Sequence, residues 1–158
     1  MTLSGETVLV TGAGSGIGRA IARRLLADGA ETVLTDIDEA GLAAALDGLP
    51  AEQAKHALLL PLDVTDEAGW ERAVDAALQR FGRITGLVNN AGITRDATML
   101  KMTSEQFHAV LQTHLRASWL GCRAAIPALR EAGGGAIVNI SSSGRHGAFG
   151  QTNYSPAK

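Results

Sequence analysis

Cysteine, aromatic side chains and net charge are all scarce in this sequence, and each scarcity removes a class of protein. One cysteine stands among 158 residues, Cys122, so no internal disulfide can form, and a lone thiol fits a reducing compartment. Cys122 and the four histidines, His56, His108, His114 and His146, are scattered without metal-ligand spacing, so no metal site is expected. A net charge of −2 supplies no basic field for nucleic acid or an anionic membrane surface. No window approaches ~18 uninterrupted apolar residues, so no segment reads as membrane-spanning. The first twelve residues have no positive stretch leading into a long apolar run, so they do not read as a secretion signal. The expectation is a cytoplasmic protein. With aromatics at 4%, the core must be built from Ala, Val, Leu and Ile. The 46% hydrophobic content and 19 glycines suit a single globular α/β domain.

Short apolar runs alternate with amphipathic stretches of helical length. Thr7–Val10 reads as a strand, followed by a helix over Ile17–Leu26 with Ile17, Ile21 and Leu25 on one face. Asp28-Gly29-Ala30 closes that helix with a glycine after its last turn. Thr32–Thr35 is a second strand and Glu39–Leu46 a second helix. Ala57–Leu62 is a third strand, Glu67–Phe81 a helix stopped by Gly82, and Leu87-Val88 part of a fourth strand. Thr103-Ser104-Glu105-Gln106 has the form of a capping box and opens one long helix to about Glu131. Ala136–Ile140 is a fifth strand. Strands separated by helices need crossover connections, so the expected fold is a Rossmann-like, doubly wound parallel sheet covered on both faces. The chain reaches Lys158 inside what reads as another helix. Five strands would leave an edge uncovered, so one or two further strand–helix units of roughly 30 residues each are expected in the natural protein.

Thr11-Gly12-Ala13-Gly14-Ser15-Gly16-Ile17-Gly18 joins the first strand to the first helix. Glycines allow both a tight turn and close approach of a phosphate to free amides at a helix N-terminus, although any tight strand-to-helix turn can use them. Its place in the first strand–helix unit assigns Gly12, Ser15, Gly16, Ile17 and Gly18 to a dinucleotide. Asp36 ends the second strand, 24 residues after Gly12, where a carboxylate accepts from the adenosine ribose hydroxyls. It could also cap the next helix. That carboxylate would repel a 2′-phosphate, and neither Ser15 nor the run Asp36-Ile37-Asp38-Glu39 offers a cation to offset it. NAD(H) is therefore favoured over NADP(H).

Two further motifs join the glycine turn: Asn89-Asn90-Ala91-Gly92 after the fourth strand and Tyr154-x-x-x-Lys158 at the end. With the spacing Gly12-x-x-x-Gly16-x-Gly18, the whole chain resembles the N-terminal two-thirds of a short-chain dehydrogenase/reductase. The resemblance implies a catalytic Tyr154 and Lys158, with Lys158 also holding the nicotinamide ribose. It implies Asn90, Ala91 and Gly92 along the cofactor, and Asp63 and Val64 at the adenine. The chemistry is sensible on its own terms. Residues four apart share a helical face, and an ammonium beside a phenol stabilises phenolate, so the pair can exchange a proton with a substrate oxygen.

The resemblance also implies a serine that hydrogen-bonds the substrate oxygen, and here two rulers disagree. Counting from Asn139 in the family's Asn-x-Ser-Ser selects Ser142, whereas counting thirteen residues back from Tyr154 selects Ser141. Strand register is harder to change than loop length, which favours Ser142. His114 stands where the family typically has an asparagine whose backbone holds a water in the proton relay. It is either a tolerated helix substitution or a group that titrates and alters that relay.

Asn89–Asp96 and Gly150–Ser155 look like the 3-oxoacyl-carrier-protein and acetoacetyl-CoA reductases. The implied reaction interconverts a 3-oxoacyl and a 3-hydroxyacyl thioester. Oxidation of hydroxysteroids or other secondary alcohols stays open, because Asp36 sits awkwardly with a biosynthetic, NADPH-linked reductase. A non-catalytic nucleotide sensor on the same fold is the remaining alternative, and its mark would be a broken Tyr154–Lys158 pair. The implied assembly is a homo-oligomer, a tetramer by family analogy.

Overall fold

The computed structural model describes residues 2–158. They form one five-stranded sheet in the order β3-β2-β1-β4-β5. Its strands are β1 (Thr7–Thr11), β2 (Glu31–Asp36), β3 (Ala57–Pro61), β4 (Gly86–Asn89) and β5 (Ala136–Asn139), all paired in parallel. The chain leaves β1 toward β3 at one edge, then returns to place β4 on the other side of β1. The connections therefore reverse direction between β1 and β4, and a crevice opens at the carboxyl ends of those two strands.

Successive strand residues feed opposite faces. Leu9, Val33 and Leu87 pack with Trp70, Ala73 and Ala77 of α4 (Glu67–Phe81) and Leu120, Ala125 and Leu129 of α6 (Ala117–Glu131). Val10, Leu34 and Val88 pack with Ala22 and Leu26 of α1 (Gly16–Ala27) and Leu42 of α2 (Glu39–Ala44). Trp70 is the bulkiest fully buried side chain, and its Nε1 donates to the Val64 carbonyl at 2.9 Å. Truncating such a residue to Ala costs about 3–5 kcal/mol.

Sequence signals place most boundaries to within two residues. Gly82 ends α4 with φ +77°, a left-handed turn that only glycine adopts cheaply. The capping box at α5 (Ser104–Leu111) is present in both directions: Gln106 N donates to Thr103 Oγ1 at 3.2 Å, and Thr103 N donates to Gln106 Oε1 at 3.0 Å.

Two expectations need correction, and two short elements are new. Ile17 does not share the packed face of α1; it is 65% exposed, and the buried stripe is Gly18, Ala22 and Leu26. The long helix to Glu131 is interrupted by a π turn over Gln112–Arg116, between α5 and α6. At its two ends the hydroxyls of Thr113 and Ser118 donate to the carbonyls of Ala109 and His114, at 2.9 and 2.7 Å. Such side-chain bonds into the helix ladder favour irregular turns. Finally, a short helix α3 (Ala51–Ala54) and a 3₁₀ turn over Ser143–His146 carry no sequence periodicity and were not anticipated. The last helix is α7 (Tyr154–Ala157).

Candidate active site

The glycine turn is shaped by close packing rather than by flexibility alone. Gly12 has φ +66°, and a Cβ there would lie 2.9 Å from both Ala91 Cα and Asn90 Nδ2. A Cβ on Gly18 would overlap the Gly12 carbonyl and reach 2.5 Å from Asn90 Nδ2. Ser15 precedes α1 in extended conformation and forms no side-chain cap, so the first amides of α1 face the crevice without a protein acceptor. Together these features form a cradle that fits a pyrophosphate.

Asparagine side chains hold the floor of the crevice. Asn90 Nδ2 donates to the Thr11 and Gly12 carbonyls at 2.8 and 3.3 Å, while Thr11 Oγ1 accepts from the amides of Asn90 and Ala91 at 3.0 Å each. Asn89 Nδ2 donates to Asn139 Oδ1 at 2.8 Å and so ties β4 to β5. Thr11 was not foreseen as a site residue, because a buried strand threonine looks like any other β-branched residue in the sequence.

Asp36 accepts from the Gly14 amide at 2.9 Å and from the Asp38 amide at 3.1 Å. Its carboxylate is thus pinned at the rim of the glycine turn, and Asp38, not Asp36, stands at the start of α2. Arg19 lies at the same corner, but its guanidinium donates to the carbonyls of Gly14 and Gly41. Asp63 Oδ1 accepts from the amide and hydroxyl of Thr65 at 2.9 and 2.8 Å, and Val64 beside it is buried.

A cleft of about 570 Å³ collects Gly12, Ser15, Gly16, Ile17, Gly18, Asp36, Asp63, Val64, Asn90, Ala91 and Gly92. Ile37, Thr65, Arg95 and Thr113 also line it and carried no signal in the sequence. A second cavity, of about 370 Å³, is lined by Ser141, Ser142, His114, Tyr154 and Lys158. The two cavities share Ile17, Asn90, Gly92 and Ile93 as walls.

Around the second cavity, Lys158 Nζ lies 5.7 Å from the centre of the Tyr154 ring and donates to the Ile140 carbonyl at 2.8 Å. Burial holds the Lys158 ammonium below its ordinary pKa. The two candidate serines use their hydroxyls differently. Ser141 Oγ donates to the Lys158 carbonyl at 3.0 Å, whereas Ser142 Oγ accepts from the Gly144 amide at 3.1 Å. Asn153 was missed in the sequence, yet it is fully buried. Its Nδ2 donates to the Arg95 and Gln106 carbonyls at 2.9 and 3.2 Å, and its Oδ1 accepts from the Tyr154 amide at 2.8 Å. Among the described residues no cluster of metal-ligating side chains occurs, and no helix is long and apolar enough to cross a membrane.

A glycine-lined crevice at the reversal point of a parallel sheet places the chain in the doubly wound class, whose members bind ligands in such crevices. The sequence matches the profile described as short chain dehydrogenase over residues 6–158, and the chain belongs to that family. It is 45% identical over 157 residues to an uncharacterised oxidoreductase of Mycobacterium bovis, covering 99% of this chain and 63% of that protein. It is 37% identical over 162 residues to the 3-oxoacyl-(acyl-carrier-protein) reductase of Thermotoga maritima, covering 100% of this chain and 64% of the reductase. Among solved structures it resembles levodione reductase with a TM-score of 0.88 at 38% identity, over 98% of this chain and 61% of that one. The chain therefore spans less than two-thirds of the length of these relatives.

Proposed function

We propose that this chain carries the cofactor-binding and catalytic core of an NAD(H)-dependent oxidoreductase that interconverts a ketone and a secondary alcohol. The observation that carries the reading is the shared wall of the two cavities. Ile17, Asn90, Gly92 and Ile93 border both the glycine-lined cleft and the space in front of Tyr154 and Lys158. A nicotinamide at that wall would supply or accept the hydride when bound.

The chain's own residues do the rest. The amides at the start of α1 and the glycine turn hold the pyrophosphate, and Asp36 accepts from the adenosine ribose hydroxyls and repels a 2′-phosphate. Asp63 and Val64 border the adenine. Tyr154 gives its hydroxyl proton to the substrate oxygen in reduction and takes it back in oxidation. The Lys158 ammonium stabilises negative charge on the phenol and orients the nicotinamide ribose. Ser142 donates a hydrogen bond to the substrate oxygen. It is preferred to Ser141 on strand register, and its Oγ accepts from the Gly144 amide, which keeps its proton free to donate.

For the substrate, the similarity of Asn89–Asp96 and Gly150–Ser155 to thioester reductases supports a 3-oxoacyl thioester. The relative named for levodione supports a second reading, a ketone or secondary alcohol outside the thioesters. Leu115, Trp119 and Ile126 project from the long helix, are exposed, and support a homo-oligomer. The single cysteine is the one feature that supports a cytoplasmic location. The test is absorbance at 340 nm with the full natural chain and acetoacetyl-CoA, comparing NADH with NADPH. Turnover at least about tenfold better with NADH, roughly 1.4 kcal/mol of discrimination, supports both Asp36 and the thioester. Preference for NADPH overturns the role of Asp36. No turnover by protein that binds NADH overturns the thioester and leaves the ketone reading.

A further inference from the structure

His114 is the one histidine that lies buried among the described residues, with 6% of its surface exposed. It sits in the π turn, a wider turn often found at functional sites. Its Nε2 faces two groups of one residue: the Ile93 carbonyl at 2.7 Å and the Ile93 amide at 3.0 Å. One ring nitrogen cannot donate and accept at once. The shorter contact and the acceptor character of the carbonyl favour a proton on Nε2, given to Ile93 O. Nδ1 is then a bare acceptor. It is buried and has no hydrogen-bond partner.

Two neighbours fix the ring from its sides. Tyr154 meets it edge to face, with centroids 5.1 Å apart and planes at 87°. Gly92 lies against Cε1 so closely that a Cβ there would collide with the ring. Gly92 and Ile93 border the cofactor cleft, and Tyr154 is the proton donor of the proposed reaction. One imidazole thus touches both halves of the site.

We propose that neutral, Nε2-protonated His114 is a positioning residue that holds Tyr154 against the Gly92–Ile93 wall, and that protonating it releases both. The inference rests on the oxidoreductase reading for its consequence, and on the packing for its mechanism. A second proton would go on Nδ1, where no acceptor waits. The ionisable groups on the elements packed against the ring are Tyr154 and Lys158 of the catalytic segment, while Asn90–Ile93 carries none. No carboxylate lines either cavity that His114 borders. Burial holds the imidazole below its ordinary pKa, and the Lys158 ammonium adds to this against the bond to Ile93. Charging His114 in place would leave a buried N–H without an acceptor, which favours release of the ring.

The test follows two signals of the full natural chain by NMR, with ¹⁵N-labelled histidine and ¹³C-labelled tyrosine. The Tyr154 ring signal is assigned by its absence from Tyr154→Phe. The expected result is an Nε2–H tautomer that charges below the ~6.5 of a free imidazole, with the Tyr154 signal shifting at the same midpoint. An Nδ1–H tautomer, or a Tyr154 signal indifferent to His114 protonation, overturns the proposal whether or not the protein turns over a ketone. The kinetic arm uses NADH and acetoacetyl-CoA. His114→Ala should lower kcat at least about tenfold with little change in KM for NADH. His114→Asn should recover part of that loss, because its amide can donate to Ile93 O and accept from Ile93 N. It should also lack the acid limb of the kcat profile. Equal kcat in wild type and His114→Ala contradicts the positioning role. Failure of wild type to turn over any ketone while the NMR result stands contradicts the oxidoreductase reading instead.

Discussion

The ring of His114 occupies the space that a side chain on residue 92 would need, so Gly92 and His114 form a size-matched pair. Gly92→Ala should force the ring off its bond to Ile93 and destabilise the fold by about 1–3 kcal/mol, as overpacking does. Urea unfolding measures this. An unchanged midpoint would show that the two residues do not compete for one volume.

The carboxylate of Asp36 is fixed by the amides of Gly14 and Asp38, and on the proposed NAD(H) reading it would exclude a 2′-phosphate. Asp36→Ser keeps a small polar group and removes the charge. The ratio of kcat/KM for NADPH to that for NADH should rise at least about tenfold. A ratio that does not move would place the selectivity elsewhere in the cleft.

The hydroxyl of Ser142 accepts from the Gly144 amide and so has its proton left to give to a substrate oxygen. Ser142→Ala should lower kcat by about 10²-fold, as loss of one donor to a reacting oxygen does, with KM for NADH unchanged. Ser141→Ala should have the smaller effect. The reverse order would reassign the role to Ser141.

Protonation links His114 to stability with a definite sign. Its folded pKa is depressed, so between that value and about 6.5 the unfolded chain binds more protons than the native one. Stability from this group is complete above about 6.5 and is lost as pH falls toward the folded value. Urea midpoints at several pH values from neutral downward should show this fall in wild type. His114→Asn should show less of it, and an identical fall in both proteins would assign the effect to other groups.

What the sequence made legible was what depends on local pattern. The βα alternation, the capping box at Thr103, the stop at Gly82 and the glycine turn are all written in short spacings. Positions set by long-range packing were not. Ile17 fits the helical period, yet it opens α1 where the helix projects into the cleft, so it is exposed. Periodicity could not show that Thr113 and Ser118 would bond into the helix ladder around a π turn. Asn153 has no role legible in the sequence, because its bonds to Arg95 and Gln106 cross 58 and 47 residues. His114 was visible as a departure from the family pattern, but its burial against Gly92 and Tyr154 needed the fold.

The most direct test of the proposed chemistry is NADH oxidation at 340 nm by the full natural chain and its Tyr154→Phe variant, with NADH binding measured in parallel by fluorescence. Removing one hydroxyl should leave binding intact and lower turnover by about 10²–10⁴-fold, the usual contribution of a positioned acid or base. Equal turnover in the two proteins would contradict the assignment of Tyr154 as proton donor, and with it the catalytic role given to the cavity it lines.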